Sequence, residues 1–207
     1  MKKLIFTIVS LSLLIFLTNC KKDDEPEQKG TFTDSRDGKI YEWVNIGNQT
    51  WMAENLAYKT DTGCWAQYND DVNIETYGYL YVWNKSIESC PDGWHLPSKE
   101  EWETLIDFAG GYEIAGGKLK QTGTHYWSSP NEGAVDSYGF RALPGGYYNL
   151  ISSEPTFELM NDVGAWWSSS EDNERAFVFS LEYYESGLDP LGPGNKDDAF
   201  SIRCIKN

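Results

Sequence analysis

The segment Cys90-Pro91-Asp92-Gly93-Trp94-His95 sets a thiol close to one of only two histidines in the chain. Cysteine beside histidine is the raw material of a nucleophile and its base. The same two residues also supply one half of a disulfide and a hydrogen-bonded ring. The choice depends on whether a thiolate survives where the protein resides. His125, in Gly123-Thr124-His125-Tyr126, is a lone loop histidine, and two histidines so far apart make no zinc motif. The run Trp167-Ser168-Ser169-Ser170 offers hydroxyls without the Gly-x-Ser-x-Gly elbow of a serine nucleophile; serines closing a strand end explain it better. Three acidic pairs, Asp70-Asp71, Glu171-Asp172 and Asp197-Asp198, have the oxygen chemistry of a calcium site. Calcium needs about six to eight converging oxygens, and such pairs otherwise read as solvated surface. No resident cofactor is expected, with calcium the one weak option, and no convergent acid–base pair marks an enzyme.

The N-terminus fixes the compartment. Met1-Lys2-Lys3 is basic, and residues 4–17 are apolar apart from Thr7, Ser10 and Ser12. The stretch falls short of the ~20 residues of a transmembrane helix and fits a signal-peptide core. It ends in Leu17-Thr18-Asn19-Cys20, which resembles a bacterial lipoprotein box, with Cys20 as the lipidated residue. Residues 20–31 then carry Lys21-Lys22-Asp23-Asp24-Glu25 and no large apolar side chain before residue 31. Such a segment cannot repay its ordering entropy by burial and is expected to be a flexible tether. Its acidic run resembles the export signal of Bacteroidetes surface lipoproteins, which implies an outer-membrane lipoprotein exposed at the cell surface, held in lipid through Cys20.

Removing residues 1–19 leaves 188 residues with 15 basic and 32 acidic side chains, a net charge of −17. That surface disfavours nucleic acid and anionic lipid as ligands. It tolerates a neutral polysaccharide or a basic protein.

Residues 32–207 read as one domain. Ile40, Glu42, Val44 and Ile46 alternate with Tyr41, Trp43 and Asn45, and Gly47-Asn48 fits a tight turn into residues 49–52, so a hairpin is predicted. Leu80 and Trp83, three apart, predict a first helix over 77–86. The second helix has the best signature. Ser98 and Glu101 form a capping box, Trp102, Leu105, Ile106 and Ala109 make one apolar stripe, and Gly110-Gly111 ends it. Later strands are expected at 140–143, 165–168, 176–181 and 200–205. Helices early and strands late give an α+β class. Residues 126–132 faintly echo 166–172, as two similar strand ends would.

Six motifs in order carry a resemblance. They are Tyr41 with residues 46–56, residues 77–83, 90–97, 139–146 and 166–170, and the closing Phe200-Ser201-Ile202-Arg203-Cys204. The chain resembles the Fibrobacter succinogenes major paralogous domain over residues 32–207. That family's layout is similar to C-type-lectin-like folds, implying a single domain of two early helices and a late, mainly antiparallel twisted sheet with long loops. In those folds a disulfide ties an early helix region to the last strand, which implies a Cys90–Cys204 bond. Export is oxidising, and closing so long a loop stabilises by ~4–5 kcal/mol. A disulfide removes the thiolate and leaves His95 to fix the turn into the second helix. Family members often carry another cysteine near residue 74; here that residue is Ile74, so Cys64 is expected to be a free thiol. Cys204 stands alone at the C-terminus, which does not support the activity of the formylglycine-generating enzymes of this fold. The chain has Glu154-Pro155-Thr156 and Trp167-Ser168-Ser169 where sugar-binding C-type lectins have Glu-Pro-Asn and Trp-Asn-Asp.

Function is expected to reside in aromatic side chains. Aromatics are 15 % of residues, nine of them tryptophan, and Trp51, Trp83, Trp94, Trp102 and Trp167 are assigned to the core. Trp65, Tyr68, Tyr147, Tyr148, Tyr183 and Tyr184 lie in loop-like stretches and are the candidate ligand-binding residues. The expected role is non-catalytic binding or adhesion, with a neutral glycan or fibre as ligand; the alternative is a protein–protein interaction module with no sugar binding.

Overall fold

The structure, a computed structural model, describes residues 28–207. The signal segment, Cys20 and the tether up to residue 27 lie outside the described residues. In chain order the strands are β1 (Lys29–Thr33), β2 (Ile40–Ile46), β3 (Gln49–Met52), β4 (Cys64–Ala66), β5 (Tyr79–Val82), β6 (Trp94–His95), β7 (Tyr147–Asn149), β8 (Thr156–Glu158), β9 (Val163–Asp172), β10 (Arg175–Glu182), β11 (Asp189–Asn195), β12 (Ala199–Ser201) and β13 (Ile205–Lys206). The helices are α1 (Ile74–Tyr77), α2 (Trp83–Ser89), α3 (Lys99–Phe108) and α4 (Ala115–Leu119). The class is α+β, mostly sheet. None of the described helices is long and apolar enough to cross a membrane.

Two sheets share the work. A five-stranded sheet runs β1-β2-β3-β13-β6, and an eight-stranded sheet runs β11-β10-β9-β12-β5-β4, with β7 and β8 attached through β12. Neighbours are antiparallel except β12 and β9. The predicted β2–β3 hairpin is present, pairing Val44 with Trp51 and Ile46 with Gln49 across Gly47, whose φ of 63° a glycine adopts without strain. Alternation sends Val44 and Ile46 into one core and Tyr41 into the other.

Helix α3 begins as predicted. The Ser98 hydroxyl accepts from Glu101 N and the Glu101 carboxylate accepts from Ser98 N at 2.7 Å, completing the capping box. Trp102, Leu105, Ile106 and Ala109 are buried. Trp102 stacks on Phe179 with centroids 5.2 Å apart and lies 4.9 Å from Trp51, joining the helix to both sheets.

Four expectations need correction. The first helix, predicted over 77–86, is divided: α1 stops at Gly78, φ 70°, and Tyr79–Val82 is a strand held between β4 and β12. Tyr79, Leu80 and Tyr81 are all buried, so both faces of this strand are apolar and the period of two is hidden. Residues 140–143 form no strand; Arg141 takes φ 51°, and only Ala142 makes a bridge, to Lys120. Residues 200–205 do not form one strand either. β12 sits in the large sheet and β13 in the small one, and between them the carbonyls of Ile202 and Cys204 accept from Leu56 N and Met52 N. Finally, residues 29–31 of the segment 20–31 expected to be tether belong to strand β1. The pairing of Lys29 with Val44 through Thr33 with Ile40 satisfies its backbone, Gly30 lies against the Trp43 indole, and Phe32 stacks on Trp94 at 4.5 Å. The strands are thus not all late; six of them precede α3.

Candidate functional site

Cys90 and Cys204 are joined by a disulfide with Cα atoms 5.9 Å apart, tying the end of α2 to the crossing between β12 and β13. Position 90 therefore holds no thiolate. His95 stands 2.9 Å from Glu101 Oε1 through Nε2 and 2.7 Å from Asn207 Oδ1 through Nδ1. The ring thus ties β6 to the first turn of α3 and to the C-terminus, the turn-fixing role expected of it. Ser170 Oγ joins β9 to α3 by accepting from Lys99 N at 2.9 Å, and within β9 Ser168 Oγ accepts from Ser170 N at 3.0 Å. His125 is exposed, its ring edge-on to Tyr126. Cys64 is free and half-buried in β4.

The six acidic candidates do not converge. Asp70 caps the turn at Val72 N, Glu171 pairs with Lys196, and Asp172 accepts from Asn173 Nδ2. Asp198 accepts from Leu150 N at 3.0 Å, and burial raises its carboxyl above the usual range while that bond lowers it. Asp71 and Asp197 are exposed. Among the described residues no three His, Cys, Asp or Glu side chains are placed to hold a metal ion. The expected acidic pairs are separate capping and pairing groups.

The aromatic candidates divide into three places. Strand β4 carries Trp65, and the β7–β8 hairpin carries Tyr148 opposite Phe157. The Trp65 ring meets Tyr148 edge-on at 5.5 Å, Tyr148 lies flat on Phe157 at 4.0 Å with 7° between planes, and Phe157 meets Tyr68 at 5.7 Å. Four rings therefore stand in series. Tyr68, at the end of the row, is 56 % exposed on a backbone of φ 56°, and the other three are half-buried. That pairing stiffens the rings, and each of the four keeps part of its surface in solvent.

Tyr147 belongs elsewhere. Alternation along β7 turns it away from Tyr148. It stacks on Phe200 at 5.3 Å and donates its hydroxyl to Glu158 Oε2 at 2.7 Å. Burial, then that bond, push its pKa up to about 12. Tyr183 packs against the core and meets Tyr184 edge-on at 5.3 Å, and Tyr184 lines a separate depression beside Tyr112, Glu113 and Glu132. Phe157 was not among the candidates. The sequence offers only the alternation Thr156-Phe157-Glu158; the pairing with Tyr148 comes from the fold.

Buried polar groups organise the centre. Asn55 Oδ1 accepts from Trp166 Nε1 at 2.8 Å and from Arg203 at 2.8 and 3.2 Å, while Arg203 also donates to the carbonyl of Phe140. Arg203 is 1 % exposed and lies over the Phe140 ring. Burial, then the neighbouring Arg141, push its pKa down to about 9.

No curated protein and no solved structure matches the chain. The family model of the Fibrobacter succinogenes major domain matches residues 44–206.

Proposed function

The chain belongs to the Fibrobacter succinogenes major domain family, and from that premise we propose that it is a non-catalytic binding module that grips a neutral glycan on the row Trp65–Tyr148–Phe157–Tyr68. The row carries the reading: four rings in contact on one sheet edge offer flat apolar faces without a neighbouring metal site. Stacking on sugar rings uses such faces, and a neutral chain meets no repulsion from the formal charge of −15. The lipoprotein box at Cys20 and the acidic run after it support display on the outer membrane, anchored in lipid and facing outward. A C-type-lectin-like topology is part of the same proposal, supported by the disulfide between the end of α2 and the last strands.

Affinity electrophoresis through gels containing neutral polysaccharides tests it. The protein is expected to be retarded in at least one gel, and Tyr68→Ala and Phe157→Ala each to weaken binding about fivefold, about 1 kcal/mol per ring. Mobility unchanged in every gel, or retardation untouched by both substitutions, refutes the site. In the first case, capture of a defined extracellular protein that Tyr68→Ala abolishes would move the reading to protein–protein adhesion.

A further inference from the structure

A second cavity, sharing no residue with the aromatic row, opens between β1–β2 and α1. It encloses about 510 Å³, inside the range of about 300–1,000 Å³ typical of small-ligand sites. Its lining includes Glu42 from β2, Glu75 and Thr76 from α1, Gln121, Tyr126, and Asn55 with the buried Arg203. We infer that this cleft is a second binding site, for a single uncharged, polyhydroxylated unit of sugar size.

Charge comes first in the argument. Lys39, Arg141 and Arg203 face Glu42, Glu54 and Glu75, so formal charges in the lining cancel. Two of the three pairs are closed, Lys39 with Glu75 at 3.3 Å and Arg141 with Glu42 at 2.6 Å. Glu54 Oε1 accepts from Glu42 N at 2.9 Å. Arg203 is held by Asn55 and the Phe140 carbonyl. An anion entering this space meets Glu42, Glu54 and Glu75 while Lys39, Arg141 and Arg203 are already engaged. A cation meets those three basic groups, with Glu54 as the one lining carboxylate outside the two salt bridges. An uncharged ligand avoids the larger desolvation cost.

Hydrogen-bonding capacity comes second. Thr31, Thr76, Gln121 and Tyr126 line the cleft and bring three hydroxyls and an amide to it. An apolar ligand would cover these groups and leave them unpaired, at about 1–3 kcal/mol each. A sugar hydroxyl donates and accepts at once, so it serves a carboxylate oxygen and a guanidinium or amide N–H together. Tyr126 adds the one aromatic ring. It is held edge-on by Tyr77 at 6.2 Å and by His125 at 4.5 Å, which limits its motion before a ligand arrives.

Methyl glycosides of glucose, galactose, mannose and xylose are the probes, titrated into the protein and followed by calorimetry, with glucuronate and glucosamine as charged controls. At least one neutral glycoside is expected to bind more tightly than either control. Thr76→Val with Gln121→Ala is expected to weaken it about tenfold, the two lost hydrogen bonds, with the melting temperature unchanged. Tyr126→Phe, which removes only a hydroxyl, is expected to weaken it less. Tyr68→Ala, on the aromatic row, is expected to leave it unchanged. Absence of binding by all four glycosides overturns the inference, as does tighter binding of a charged control. Binding lost in Tyr68→Ala but kept in the cleft variants also overturns it, and assigns the sugar to the aromatic row alone.

Discussion

Lys120 gives a quantitative test of how this interior treats charge. The residue is 0 % exposed. Its ammonium donates to the carbonyls of Glu182 at 2.8 Å and Glu185 at 2.7 Å and lies 5.4 Å from the centre of the Trp127 ring. Burial pushes its pKa from 10.5 down to about 8, against the opposing pull of the Glu132 and Glu185 carboxylates. Between those two values the unfolded chain keeps a proton that the folded chain has lost. Stability therefore rises with pH across that window. Integrated from pH 7 to pH 9, the gain is about 1 kcal/mol. Above this range other groups intervene. Arg203, pushed down to about 9, adds in the same sense. Tyr147, pushed up to about 12, opposes it once unfolded tyrosine ionises. Urea unfolding followed by tryptophan fluorescence at pH 7, 8 and 9 reads the slope, and Lys120→Met supplies the reference. The native protein is expected to gain about 1 kcal/mol relative to Lys120→Met over that range. Parallel slopes would mean that Lys120 keeps its proton through pH 9 inside the fold, and the burial argument would fail.

Cys90→Ser opens a loop of sequence separation 114, and chain entropy sets the expected loss at about 5 kcal/mol. Urea midpoints measure it, and a loss below about 1 kcal/mol would show that the unfolded chain already holds the two ends together. Gly116→Ala places a Cβ 1.9 Å from the carbonyl oxygen of Gly187, backbone against backbone, so a loss of about 1–3 kcal/mol is expected. Gly93→Ala meets nothing within 4 Å and is expected to cost about 1 kcal/mol through its φ of 83° alone. Thermal unfolding of the pair separates steric from backbone cost, and equal losses would contradict the close packing of α4 on Gly187.

What could be read from the sequence follows how locally each feature is encoded. The start of α3 is written within four residues, Ser98 to Glu101, and its buried stripe within the next eight. The β2–β3 hairpin is equally local, fixed by Gly47 and its flanking alternation. β5 was misread because Tyr79, Leu80 and Tyr81 are buried on both faces, and a strand apolar on both sides shows no period. The division of 200–205 between two sheets leaves no local trace, since the stretch is buried throughout and holds no glycine or proline to mark the break. The Cys90–Cys204 bond came from family resemblance, because spacing alone does not identify partners.

The same distinction separates the two candidate sites. The aromatic row is assembled from segments at 65–68, 148 and 157. Three of its rings, Trp65, Tyr68 and Tyr148, are legible as aromatics in stretches that read as loops, although Trp65 and Tyr148 belong to strands and are half-buried. The cleft is assembled from residues between 31 and 203 that are individually ordinary: threonines, a glutamine and charged side chains that elsewhere would be solvated surface. Only the fold turns them into a concave set with its charges cancelled. It does so through Asn55, whose carbonyl oxygen holds Arg203 from the last motif and Trp166 from the one before, while its amide holds the Tyr77 carbonyl at 3.0 Å. One buried amide thus ties the cleft lining to α1, to the large sheet at Trp166 and to the crossing between β12 and β13. Asn55→Ala should disturb the cleft and the core together, whereas Gln121→Ala should reach only the cleft.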